Sequence, residues 1–279
     1  MSVHFVNITQ QEFLNEKVPL FKIVPVNRLV STLGPKHYLW FANPKIWDDP
    51  FEKRFIVTPF KTASGNVDYP LKDQIYCCCF SEIRVCEAQW KIYSSKCNSN
   101  QESNQESILL SIKKDVLLNE LEDYCKRNSK SQVYIGRVKY QETSTIEGSL
   151  SKNPFLKSNM PLSLKDHELL IKLLLLKRNA FLFENEIRIF IINSQLKGKN
   201  GIPFDYQCNA PEMFSRVSID KTISNSSDLK KWLESPMSTT TTYGAGLGFT
   251  TIKDSLNRKY PRVVFSHLYV HKHPKIIKI

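Results

Sequence analysis

Glycine is scarce in this chain, nine in 279 residues, about 3% against a usual value of roughly 7%. That argues against a fold punctuated by several tight glycine-lined phosphate turns. No window approaches the ~18 consecutive apolar residues of a membrane helix. The longest apolar cluster, Leu169 to Leu176, is interrupted by Lys172 and reads as a buried helix. The first residues, MSVHFVNITQQEF, lack a basic stretch followed by an apolar run, so nothing there marks the chain for export. Cys-x-x-Cys is missing as well. The seven cysteines are odd in number and three stand together at Cys77, Cys78 and Cys79. This is the usage of a reduced, cytoplasmic protein. Neighbouring side chains on a strand point to opposite faces, so the triple cysteine cannot converge on one metal ion and is expected to pack as small core residues.

What the chain does have is apolar mass and positive charge. Hydrophobic residues make up 41% and aromatics 11%, too many for a disordered chain. Lysine and arginine outnumber aspartate and glutamate by 39 to 27, a net charge of +12, for which a polyanion such as nucleic acid is the natural partner.

Periodicity predicts short helices at Thr9–Glu16, which opens on a capping box, and at Asn27–Leu33. Strands are predicted at HYLWFANP, at QIYCCCFS (Gln74–Ser81, fully buried), at an edge position over Val133–Tyr140, and at Glu184–Asn193. IWDDPFEKRFIVTPF reads as a loop. Helices are expected at Glu87–Ser95, at Asp115–Arg127 with its i, i+3, i+4, i+7 leucines, and from Ser163 to about Asn179. Further on come a strand near Phe214–Ile219, a helix at Ser227–Leu233, the loop TTTTYGAGLGF and a last strand, VVFSHLYV. The repeated NQES motif near residues 98–107 carries no apolar residue and reads as a solvated loop. Without a βαβ rhythm or a linker, the expectation is one α+β domain over residues 1–279 with a mainly antiparallel sheet.

Four constellations could carry chemistry. Alternation puts Glu184, Glu186 and Arg188 on one face of a strand otherwise built of isoleucine, so that face looks either into water, as on an edge strand, or into a cleft. In a cleft, paired carboxylates beside an arginine suit acid/base work or the stabilisation of a developing cation. Asn43, Pro44, Asp48, Asp49, Pro50, Phe51 and Glu52 read first as a structured Asx turn; the acids alone would suit only a hard, oxygen-liganded cation, as in a metal-dependent nuclease. Ser81 and Glu82 end a buried strand, and Trp90 and Tyr93, one helical turn apart, could stack on a planar ring or pack in a core. His267, His271 and His273 share one strand face and read as readily as a basic patch as a metal site, and no metal is assigned.

The order NP-x3-DDPFE (Asn43–Glu52), CFSE (Cys79–Glu82), W-x-x-Y (Trp90–Tyr93) and K-x6-E-x-E-x-R (Lys177–Arg188) resembles a bacterial family known only as domain of unknown function 2971, over roughly Leu20 to Asn193. The family usually has Asn where Asp48 stands, Met-Trp-Ser-His-Tyr where this chain has Gln89-Trp90-Lys91-Ile92-Tyr93, and Trp where Phe181 stands. It looks related to the ADP-ribosyltransferases, many of them toxins or phage-defence effectors. The resemblance implies a split-sheet fold and NAD as co-substrate. It makes Glu186 the carboxylate that steadies the oxocarbenium-like transition state, Glu184 the residue that orients the acceptor, and Ser81 the strand serine. It further implies NAD contacts from Lys22 or Arg28, between which it does not choose, and from Asn43, Trp90, Tyr93 and Arg188. Nucleic acid is the implied acceptor in preference to protein, with an antitoxin protein as a partner. A non-catalytic nucleic-acid-binding or interaction module and a metal-dependent nuclease are the rival classes.

Overall fold

The computed structural model describes residues 3–15, 18–33, 37–62, 65–85, 87–94, 107–151, 164–219 and 262–265. Its first part runs through β1 (Val3–Val6), α1 (Gln10–Asn15), β2 (Leu20–Pro25), α2 (Leu29–Leu33), β3 (Tyr38–Ala42) and α3 (Pro50–Val57). Then come β4 (Phe60–Thr62), β5 (Gly65–Val67), β6 (Ile75–Ser81), α4 (Glu87–Ser94), β7 (Ser107–Ile112), α5 (Lys114–Arg127), β8 (Ser131–Arg137) and β9 (Lys139–Gln141). The last part comprises α6 (Thr143–Ser151), α7 (Leu164–Leu174), β10 (Leu176–Arg178), β11 (Glu186–Asn193), β12 (Gly201–Asp205), α8 (Ala210–Met213), β13 (Phe214–Ile219) and β14 (Arg262–Phe265). The fold is α+β, and its strand pairing is mixed and mostly antiparallel, with β1–β8, β9–β10 and β13–β14 parallel.

The residues group into two units. One holds Met1–Val18, Tyr38–Ile83 and Lys114–Gln207; the other holds Pro19–His37, Arg84–Lys113 and Cys208–Ile279. In the first unit the strand order is β1–β8–β11–β6, with β3 joined to β6 at Ala42 and β12 laid on β3. β11 lies between β8 and β6, antiparallel to both, and all eight of its residues are buried. One of its faces, with Phe190 and Ile192, is covered by Phe55 and Ile56 of α3 and by Leu170, Ile171, Leu173 and Leu174 of α7. In the second unit β7 pairs antiparallel with β2 and β13, β13 also takes β14, and Trp90 of α4 is buried with Val85 and Leu109 against Phe21 and Ile23.

Several elements follow directly from local chemistry. Thr9 and Glu12 form the capping box: Glu12 Oε2 accepts from Thr9 N at 2.7 Å and Thr9 Oγ1 accepts from Glu12 N at 3.1 Å. α5 buries Leu117, Leu118, Leu121, Tyr124 and Cys125, the expected stripe. Cys77 and Cys78 lie buried in β6, and burial pushes the Cys77 thiol up from its ordinary value, aided by a hydrogen bond with Cys79.

Other expectations are corrected. The segment after Asp49 is helix, not loop: Asp49 Oδ1 accepts from Phe51 N at 2.8 Å and Pro50 takes the first turn, where its missing N–H costs nothing. The strand from residue 131 is interior rather than at an edge, flanked by β1 and β11. α7 ends at Leu174 rather than near Asn179, because Leu176–Arg178 pairs with β9. The helix expected at Ser227–Leu233, the glycine-containing loop, the NQES repeat up to residue 106 and His267, His271 and His273 lie outside the described residues.

Gly136 is the tightest glycine of the first unit. It faces Arg188 in the register, and a Cβ there would stand 2.3 Å from Leu175 Cδ1, whose residue is fully buried. Gly136→Ala is expected to cost about 1–3 kcal/mol by overpacking, seen as a lower urea midpoint, and with Leu175→Ala added the combined loss should be smaller than the sum of the two single losses.

Candidate functional site

The chain meets itself at Lys177. This residue lies in β10 with its side chain 5% exposed, and its Nζ is 3.0 Å from Glu52 Oε1, 3.1 Å from Glu186 Oε2 and 2.5 Å from Glu184 Oε2. An ammonium has three hydrogens to donate, and three carboxylates take them. Arg188, 1% exposed, binds the same group from the other side. Its Nε and Nη2 donate to the two Glu186 oxygens at 3.1 and 2.9 Å, and Nη2 also reaches Glu52 Oε2. Its Nη1 donates to the Leu174 carbonyl at 2.6 Å, and its guanidinium lies 4.5 Å from the Trp47 ring centroid. Three buried carboxylates thus meet at two buried cations.

Burial alone would push the Glu186 carboxyl up. The Arg188 guanidinium and the Lys177 ammonium, with hydrogen bonds from Arg188 and the Cys79 thiol, outweigh it and hold the group at about 2, below its ordinary 4.5. Burial likewise opposes the charge of Arg188, and Glu186 and Glu52 overcome that opposition, so Arg188 stays a cation. The Glu186 N–H donates to the Tyr140 hydroxyl at 2.9 Å, and burial, then the Glu186 charge, raise that phenol.

The elements deliver these groups in different ways. Glu52 comes from the first turn of α3, fixed by the Asp49 cap. Glu186 and Arg188 alternate on β11. Alternation predicted Glu184 on that strand as well, and this is corrected. Glu184 ends a 3-10 turn over Asn179–Glu184, and Asn185 in the left-handed region (φ 41°) makes the bend into β11. The two acids still meet, through Lys177. Nor does their face look into water or line an open edge: it lies under α3 and α7.

Ser81 is opposite Glu186 in the β6–β11 register. Its Oγ lies 2.7 Å from the Glu184 carbonyl and 2.8 Å from that of Ile83, and it accepts from Ile83 N at 3.3 Å, so the hydroxyl clasps the turn that carries Glu184. Glu82, next along, is bound by Arg137 Nε and Nη2 at 2.7 and 3.0 Å and by Lys114 Nζ at 3.2 Å. Asn43 is fully buried and its amide serves the turn, with Oδ1 accepting from Lys45 N at 2.9 Å and Nδ2 donating to the Lys72 carbonyl at 2.9 Å.

The acids of the nuclease reading separate. Asp49 pairs with Arg178 at 2.9 Å, Glu52 with Lys177 and Arg188, and no group of three metal-ligating side chains occurs among the described residues. Burial raises the Asp49 carboxyl, but the Arg178 and Phe51 N–H bonds leave it net lowered. Arg178 also lies between the rings of Phe51 and Phe181, at 5.2 and 5.1 Å.

Of the other residues the sequence singled out, Lys22 is half-buried in β2, Arg28 is exposed after it, Trp90 is buried in the core of the second unit and Tyr93 is exposed on α4. Sequence reasoning did not place Lys177 at the centre; only its fixed spacing to Glu184 hinted at it. Trp47 and Tyr140 carried no signal, because both join through tertiary contacts. Comparison with family models, with curated proteins and with solved structures finds no match for this chain.

Proposed function

We propose that this chain is an ADP-ribosyltransferase-like effector that cleaves NAD at Glu186 and transfers ADP-ribose to nucleic acid in preference to protein. The split-sheet fold of such enzymes, a cytoplasmic site of action and an antitoxin partner belong to the same reading. One observation supports it above the rest. Segments far apart in sequence, around Glu52, Ser81, Lys177 and Glu186, converge on one buried cluster with a strongly lowered carboxyl.

In the reaction the bond between C1′ of the ribose and the nicotinamide nitrogen breaks, and its electron pair leaves with nicotinamide, which departs neutral. The cation left at C1′ is steadied by a carboxylate that is already ionised and already held by Arg188 and Lys177. The acceptor nucleophile, oriented by Glu184, bonds to C1′ and gives its proton to water. Access requires the Asn179–Glu184 turn, whose Leu182 and Phe183 are exposed, to move aside.

Incubation of the purified chain with NAD labelled in the adenylate, together with total RNA, DNA or lysate protein, should release nicotinamide and label the acceptor. Glu186→Gln should lower the rate by about 10²–10³-fold and relieve growth arrest in an expressing host. An inert wild-type chain, or a folded Gln variant of equal activity, overturns the reading. In that event the non-catalytic interaction module stands, a reading favoured by the burial and mutual pairing of the same five side chains.

A further inference from the structure

The strand that carries Glu186 has a second end. Asn193 closes β11 opposite Ser131, the first residue of β8, and Asn193 Nδ2 donates to Ser131 Oγ at 2.8 Å. The segments beyond this pair, residues 126–130 and 194–200, leave from the same end of β8 and β11, about 24 Å along β11 from Glu186, and 196–200 runs on past Tyr76, Asp73 and Asn43. They read KRNSK and SQLKGKN, with five cations and no acid.

Lys126, Arg127, Lys130, Lys197 and Lys199 are all exposed. The first two have a local explanation, since they sit in the last turn of α5, where the helix dipole favours cations, and Lys126 pairs with Asp123 at 2.8 Å. Lys130, Lys197 and Lys199 have no such explanation and form no ion pair among the described residues. They stand on backbone that is held in place. The Leu196 carbonyl accepts from the Tyr76 hydroxyl, Gly198 N donates to the Asp73 carbonyl at 2.9 Å, and Asn43 N donates to the Asn200 carbonyl at 2.8 Å. Exposed Ser129, Ser194 and Gln195 add neutral donors among them. None of the exposed large hydrophobic residues falls in either segment, so the apolar contact that a lipid surface would use is lacking here.

We infer that this end of β8 and β11 is a contact surface for the phosphodiester backbone of nucleic acid. Exposed cations on anchored backbone, with hydroxyl and amide donors between them, are what phosphate oxygens recognise. The surface is separate from Glu186, and binding is read without NAD, so failure here and failure of the NAD reading are distinguishable.

The test is fluorescence anisotropy with a 20-nucleotide RNA strand, the matching DNA strand and their duplexes, at 50 and 200 mM salt. Lys130→Glu/Lys197→Glu/Lys199→Glu should weaken binding by at least about tenfold and flatten the slope of log K against log salt by about 2. Lys53→Glu/Lys139→Glu/Lys172→Glu, of equal net charge, should keep the wild-type affinity. Absence of wild-type binding, equal losses in both triple variants, or tighter binding to a poly-glutamate peptide or to anionic vesicles overturns the inference.

Discussion

Arg188→Met is expected to lower the unfolding free energy by about 3–5 kcal/mol at neutral pH, because it leaves buried carboxylates without their counter-charge. The guanidinium is 1% exposed and binds Glu186 in two places, Glu52 in one and the Leu174 carbonyl in another. No water can replace those contacts without opening the α3 and α7 packing above β11. Arg188→Lys should recover only part of the loss, since an ammonium cannot hold both oxygens of Glu186 and the Leu174 carbonyl together. A triple change, Glu52→Gln/Glu186→Gln/Arg188→Met, should be far more stable than the single one, because it removes the stranded charges along with their partner. Urea unfolding followed by circular dichroism measures all three. A single variant as stable as wild type would mean that Arg188 is solvated in solution and the cluster open.

That expectation could not have been written from the sequence. The alternation of Glu186, Arg188 and Phe190 shows which side chains share a face, but a period of two says nothing about what covers that face. The cover comes from Phe55 and Leu174, more than a hundred residues and about a dozen residues away in the chain respectively, and only the folded contacts reveal it. The same limit hid Lys177. Its partner Glu52 lies far upstream, and the run LLLLK looks like the end of a helix until β9 is seen to pair with Leu176–Arg178. Local signals fared better where local chemistry decides the outcome, as in the Thr9–Glu12 capping box, the leucine stripe of α5 and the unbroken apolar run of β6. The start of α3 was present in the sequence as Asp49-Pro50, a cap followed by a proline fitted to the first helical turn; reading it as a loop gave the proline too much weight as a breaker. Glu184 was misplaced because its side chain reaches the cluster through a left-handed Asn185 rather than along the strand.

Lys177→Met should reverse the pH dependence of the cluster. In the wild type the Glu186 carboxyl is held at about 2, below its ordinary 4.5. Its contribution to stability is therefore complete above about 4.5 and is lost as pH falls toward 2, leaving the range from pH 5 to 8 flat as far as this group is concerned. Without the ammonium, Glu52, Glu184 and Glu186 share only Arg188, and the repulsion is relieved when one of them takes up a proton. A carboxyl protonated in the folded variant has a folded pKa above its unfolded value. The stability tied to that proton is present at low pH and disappears as pH rises through the folded value. Unfolding free energy in the variant is accordingly expected to be about 3–5 kcal/mol below wild type near pH 8, with the gap narrowing by up to about 1.4 kcal/mol per pH unit on acidification toward pH 5. Adding Glu184→Gln, which supplies a neutral side chain in place of the proton, should restore much of the stability at pH 8 and remove the slope. A loss that stays constant from pH 5 to 8 would show that the three carboxylates are not confined around Lys177, and with that the preorganised charge required of Glu186 would be gone.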